Sequence, residues 1–227
     1  MHHVGNDIVD LEAPEARNKS TRFMEKIFSP GETRAVQRSA RPHTALWAFW
    51  AAKETAYKAI SKAHPQADFS PKRFHAELSR SNGNTLKGMV ETPYGRVAVN
   101  VHIFQGHLHC IGITGNPINL DTVLWGYQRM VHPPACPSTA VRALALGHIA
   151  RCCSLNPEDL EIRNNIHNYG TGPPVLYIKG EKAPIDISLS HDERFMGFAF
   201  VKSQVKPMRS NPYQPCQTLS PLGFAVI

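Results

Sequence analysis

Thr44 to Ser61 reads TALWAFWAAKETAYKAIS, and this helix organises everything around it. Its Ala, Leu, Trp, Lys and Glu content favours a helix, and His64-Pro65 ends it, because proline disfavours the helical backbone of the residue before it. Up to Lys53 the helix is apolar nearly all round, which marks it as buried in a core. Trp50, Glu54 and Lys58 recur every four residues and share one stripe, with Lys53 on a neighbouring one. Glu54 on a buried helix needs a partner. The alternative is an exposed Glu54/Lys58 pair worth about 0.3–0.5 kcal/mol.

Upstream, His2 to Val9 reads as a strand with a polar end. Alternation points Asp7 the same way as Gly5 and Val9 and opposite to Ile8 and Asp10. An Asp that merely caps a turn at the strand end is the alternative. Arg22 to Phe28 is a helix cut by Ser29-Pro30-Gly31, and Ser29 caps a second one over Glu32 to Arg38. Downstream, Phe74 to Leu78, Val97 to Phe104 and His107 to Thr114 alternate, with Gly83, Gly95 and Gly106 at the turns of an antiparallel meander. Gly115-Asn116-Pro117 marks a boundary.

The order then repeats. Thr122 to Tyr127 is a strand, Pro137-Ser138 opens a helix to Cys153, Leu160 to Arg163 and Val175 to Ile178 are strands, and Ile185 to Ser190 with Phe195 to Val201 form a hairpin. The expected fold class is α+β: two similar lobes forming a pseudo-dimer, each with an antiparallel sheet packed against a long helix. Residues 1–117 are the first lobe and 118–202 the second. Residues 203–227, with Pro207, Pro212 and Pro215, form an irregular tail whose apolar end, Leu222 to Ile227, docks on the body.

With 25 Lys and Arg against 18 Asp and Glu, the chain carries a formal charge of +7, which draws in nucleic acid, acidic proteins or phosphorylated small molecules. The N-terminus lacks the pattern of a secretory signal, and the longest apolar run, Ala45 to Ala52, is far short of the ~20 residues a membrane span needs. A soluble, cytoplasmic monomer is expected. The five cysteines show no C-x-x-C spacing, so they are expected to be reduced and mostly buried.

Two further groups carry possible chemistry. In Ile187-Ser188-Leu189-Ser190-His191-Asp192, alternation gathers Ser188 and Ser190 on one face with His191 at the strand end, which suits a phosphate. A Ser–His hydrolase is the alternative, but no G-x-S-x-G turn surrounds either serine. His107 and His109 share a strand face, as a metal pair or as an exposed hairpin edge.

In this order, GNDIVDL (Gly5 to Leu11), RFMEKIFSPGE (Arg22 to Glu32), WAAKETAYK (Trp50 to Lys58) and ISLSHDERFMGFAFV (Ile187 to Val201) resemble the motifs of the 4′-phosphopantetheinyl transferase superfamily. The motif order is that of the small holo-acyl-carrier-protein synthases, whose chain is about half as long and builds its active site between subunits. The length resembles the larger surfactin-type pseudo-dimers. Arg142 to Tyr177, with its PPVLY segment, is similar to the first lobe of that type, so the lobes here stand in swapped order.

The resemblance implies that Asp7 and Glu54 hold Mg²⁺ with coenzyme A phosphate oxygens and water. It implies that Glu54 deprotonates the carrier serine, that Lys58 steadies the diphosphate or protonates the leaving group, and that Lys53, Ser190 and His191 contact coenzyme A. The product would be holo-carrier protein and adenosine 3′,5′-bisphosphate. Two positions depart from the pattern. The third acid of the larger enzymes is replaced by Val9, with Asp10 on the wrong face. Gly172-Pro173-Pro174 lacks the usual basic residue, leaving Arg142 as the candidate for the 3′-phosphate. Lys72 and Arg73, with Lys58 and Lys62, would line a path for an acidic acyl or peptidyl carrier protein, or form a solvated loop. Non-enzymatic readings are a pseudo-enzyme that binds coenzyme A and a nucleic-acid-binding protein.

Overall fold

In this computed structural model, residues 2–13, 21–115, 119–132, 134–167 and 170–202 are described. The expected tail at 203–227, and most of the expected boundary at 115–117, lie outside them.

Strand β1 (Val4–Asp10) is buried along its whole length. Helices α1 (Thr21–Ile27) and α2 (Pro30–Arg38) follow, and then α3 (Pro42–Ile60), the helix the sequence singles out. At α2, Ser29 and Glu32 form a capping box, with Glu32 N donating to Ser29 Oγ and Ser29 N donating to Glu32 Oε2. Four strands complete the first half: β2 (His75–Arg80), β3 (Thr85–Thr92), β4 (Gly95–Ile103) and β5 (His107–Ile113). They form an antiparallel sheet in the order β1-β5-β4-β3-β2. The apolar face of β3, β4 and β5, with Val90, Val97, Val99, Val101 and Leu108, packs against Ala48, Ala52, Ala56 and Ile60 of α3.

The second half contains β6 (Leu124–Arg129), α4 (Pro137–Cys153), β7 (Leu160–His167), β8 (Gly170–Ile178), β9 (Glu181–Lys182), β10 (Ile185–Asp192) and β11 (Phe195–Lys202). Instead of the single sheet expected, it has two of three strands, β10-β11-β6 and β7-β8-β9. Pro173 and Pro174 remove consecutive donors from β8, near the point where the β7–β8 register shifts, and β8 meets β10 without pairing. Ile149 and Ala145 of α4 pack onto Leu176, Ile187, Phe198 and Phe200 of both sheets.

The halves share a core. Val4, Ile111 and Ile113 pack with Val123, Ala199 and Val201. Beside it, His107 stacks between Phe104 (4.7 Å) and Phe195 (4.1 Å), and Tyr127 closes the group. This corrects the exposed edge expected at His107 and His109: both are buried, because β6 and β11 cover that face. The cysteines are also less buried than expected. Cys110 is buried, Cys136 is exposed at the start of α4, Cys152 and Cys153 are half-buried, and Cys216 lies outside the described residues. Among the described residues no helix is long and apolar enough to cross a membrane.

Candidate active site

Asp7 owes its position to a glycine two residues earlier. A Cβ at Gly5 would stand 2.0 Å from the Thr55 carbonyl oxygen, so only glycine lets β1 lie this close to α3. Asp7, on the same face, meets Lys58, whose Nζ donates to Asp7 Oδ1 at 2.7 Å. Glu54 stands one helical turn before Lys58.

Burial pushes the Asp7 carboxyl up, and Lys58 partly offsets this. Burial and the Asp7 charge push Glu54 up to about 7, again opposed by Lys58. Burial pulls the Lys58 ammonium down, but Asp7 and Glu54 more than compensate and hold it charged. Two acids, the first of which raises the second, thus share one ammonium in a single site.

Lys58 opens onto a cleft of about 380 Å³ between the halves. One wall is α3 and the loop after it, with Tyr57, Ser61, Pro65 and Gln66; the other is Gly172–Pro174 of β8 and Leu189 of β10. His191, exposed at the end of β10, has Nε2 3.4 Å from Ser138 Oγ on α4. Burial and then the Lys58 charge hold its imidazole below the usual range. The structure thus brings Asp7, Glu54 and Lys58 together on one half and His191 on the other.

Other expected residues stand elsewhere. Lys53 is 0% exposed, and its Nζ donates to Glu32 Oε2, Ile27 O and Pro71 O. All three ammonium hydrogens are used in holding α1, α2 and α3 together, which corrects the expectation that Lys53 binds a cofactor. Ser190 is buried, and its Oγ accepts from Asn6 Nδ2 at 2.7 Å, so it faces β1 and cannot reach a phosphate in the cleft. Lys62 lines the cleft beside Lys58, with its Nζ donating to Val4 O, Asp186 Oδ2 and Ile187 O. Arg142 is not among the described residues lining the cleft; it donates to Ile162 O and Asn164 Oδ1, and Asn164 is the register partner of Pro174. Asp10 is fully occupied: Arg194 grips both its oxygens at 2.6 Å, so it does not substitute for the acid missing at Val9.

Sequence reading missed Glu32, Asn6, Asp186 and Arg194. The Ser29-to-Glu32 spacing was a signal for the first. The others have partners too distant in sequence to leave a local trace.

Among the described residues no cluster of three or more His, Cys, Asp or Glu gathers around one point. Asp7 and Glu54 supply two hard oxygen ligands, the set suited to a magnesium ion that keeps its remaining positions for phosphate oxygens and water.

The family description 4′-phosphopantetheinyl transferase superfamily matches residues 3–111, which contain Asp7, Glu54 and Lys58. Residues 3–111 are thus similar to the 4′-phosphopantetheinyl transferase superfamily. Its members transfer the phosphopantetheinyl group, with coenzyme A as donor, carrier proteins as acceptors and Mg²⁺ as metal. Among solved structures, the chain is similar to the apo-ACPS of Chronobacterium ammoiniagenes, with 22% identity over 50% of this chain and 95% of that one, at a TM-score of 0.38. It is also similar to the holo-[acyl-carrier-protein] synthase of Thermotoga maritima, with 14% identity over 79% and 84%, at 0.37. No curated protein matches the chain.

Proposed function

We propose that this protein transfers 4′-phosphopantetheine from coenzyme A to a serine of an acyl or peptidyl carrier protein, leaving adenosine 3′,5′-bisphosphate. The observation that carries this reading is that Lys58, which lines the cleft between the halves, is bonded to Asp7 and stands one helical turn after Glu54. Asp7 and Glu54 would hold Mg²⁺, which when bound neutralises charge on the diphosphate.

The chain's own groups account for the rest. Lys58, 29% exposed in its side chain, keeps donors free for the diphosphate beyond its bond to Asp7. Glu54 would accept the serine proton. As the serine oxygen bonds to the pantetheine phosphorus, the bond from that phosphorus to the bridging oxygen breaks, and Lys58 stands ready to stabilise or protonate the departing oxygen. His191 contacts a second phosphate from across the cleft. Arg142, bonded to Asn164, the register partner of Pro174, would serve the 3′-phosphate. Exposed Lys72 and Arg73 would face the acidic carrier.

Residues 1–117 and 118–202 are read as lobes of a fused pseudo-dimer in swapped order, working as a cytoplasmic monomer. Support comes from each half having its own long helix and antiparallel strands.

The test incubates the protein with coenzyme A, Mg²⁺ and several apo carrier proteins and reads intact carrier mass. One added phosphopantetheine mass, prevented by EDTA and lost in Glu54→Gln, supports the proposal. Coenzyme A binding without transfer to any carrier would leave a pseudo-enzyme, and no binding would end the reading.

A further inference from the structure

The free edge of β1 is satisfied by side chains from a strand in the other half. Val4 N donates to Asp186 Oδ2 at 2.7 Å, Asn6 N to Ser188 Oγ at 3.0 Å and Asp10 N to Asp192 Oδ2 at 2.8 Å. Outward N–H groups on an edge strand recur every second residue, and so do side chains on one face of β10, so the two rows match. Lys62 Nζ locks the near end, joining Val4 O, Asp186 Oδ2 and Ile187 O. Arg194 locks the far end through Asp10.

In the middle, Asn6 Nδ2 donates to Ser190 Oγ at 2.7 Å and lies 2.9 Å from His109 Nε2. An amide NH₂ only donates, so His109 accepts and is neutral. Asn6 and His109 are 0% exposed and Ser190 is 6% exposed. Gly197 seals the group, since a Cβ there would stand 2.8 Å from His109 Nε2.

Alternation gives this seam its meaning. Asp186, Ser188, Ser190 and Asp192 face β1, so Leu189, which lines the cleft with Ser188, and His191, which meets Ser138, face away from it. Asn6 is the neighbour of Asp7, and Ser190 is the neighbour of His191. The single bond between them ties the carboxylate strand to the histidine strand, 184 residues away in sequence.

We propose that Asn6 and Ser190 are positioning residues: their buried bond sets the distance across the cleft between Asp7 and His191, and so how the two ends of a coenzyme A-type diphosphate are held. This rests on the function proposed above. Neither residue touches substrate; each acts through its neighbour.

The experiment measures coenzyme A binding by calorimetry, which needs no carrier, together with transfer kinetics and melting temperature. It uses Ser190→Ala, Ser190→Thr, His191→Ala and the double variant Ser190→Ala/His191→Ala. Ser190→Ala is expected to weaken coenzyme A binding and raise its KM about tenfold with kcat changed less than about twofold. Ser190→Thr, which keeps the hydroxyl, stays near wild type. In the His191→Ala background the Ser190 change adds nothing, because the group it positions is gone.

Should Ser190→Ala not fold, Asn6→Gln, which keeps the amide but lengthens its arm by one methylene, carries the same expectation. Equal binding by wild type and variant, or a full tenfold effect in the His191→Ala background, overturns the inference and leaves the proposed function standing. Failure of wild type to bind coenzyme A removes both.

Discussion

Lys53 and Lys58 sit five residues apart in one motif and do opposite work. Lys53 is sealed against Glu32, and removing one partner of a buried pair strands the other charge. Lys53→Ala should therefore destabilise the fold by about 3–5 kcal/mol, seen as a melting temperature lower by roughly 10 °C, with activity per folded molecule nearly unchanged. Lys58→Ala should do the reverse, reducing transfer by at least about tenfold while the melting temperature moves by only a few degrees. Sequence spacing placed Glu54 and Lys58 on one stripe. It gave no hint that Lys53 turns inward, because its partners lie at Ile27, Glu32 and Pro71 and are set by how α1 and α2 fold back.

His107 supports a second prediction at this scale. Burial pulls its imidazole down to about 4 from an ordinary 6.5, against the smaller opposing pull of the Gln105 backbone. Between those values the unfolded chain binds the proton and the folded one does not, so this group's contribution is full above about 6.5 and is lost as pH falls toward 4. Asp192, raised by burial to about 6, acts in the opposite sense over part of that range but is common to wild type and variant. His107→Phe keeps the aromatic stack and removes the titration. Its melting temperature should decline less than that of wild type between pH 7 and pH 4, by an amount corresponding to about 3 kcal/mol. Parallel decline of the two proteins would refute it.

At the level of elements, the critical contact is β1 against α3. Gly5→Ala forces a methyl group into the Thr55 carbonyl and pushes the strand off the helix. The expected outcome is loss of transfer activity together with a lower melting temperature, because Asp7 moves with the strand; a fully active variant would mean that the helix yields instead. Most elements were legible from local pattern, α3 from composition and punctuation, and the β10–β11 hairpin from alternation. Strand β3 was not named, since Thr85, Lys87, Gly88 and Glu91 dilute its apolar signal and it is held by pairing on both sides. The split of the second half into two sheets was also hidden, because it depends on which strands pair and not on local pattern.

For the whole molecule, the two halves share Val4, Ile111, Ile113, Val123, Ala199 and Val201, and β1 is covered from both. Each half has a core of its own, but this shared one is lost if the halves part. Heating should give one calorimetric transition whose enthalpy agrees with the van't Hoff value; two separated peaks would mean independent lobes. The motif order in the sequence pointed to the pairing of carboxylates with a distant histidine. It did not reveal the means, because a ladder of side chains between residues more than 180 positions apart leaves no periodic trace in either segment.

The two-sided burial of β1 has one more consequence. Sliding that strand by a single residue against β5 would exchange its faces, sending Asp7 into the histidine cluster and Asn6 toward the helix. No alignment is partly right, since every side chain changes allegiance at once. Molecules in a refolded preparation should then be either competent or inert, and its specific activity becomes a headcount of correctly threaded chains and not a measure of how fast each one works.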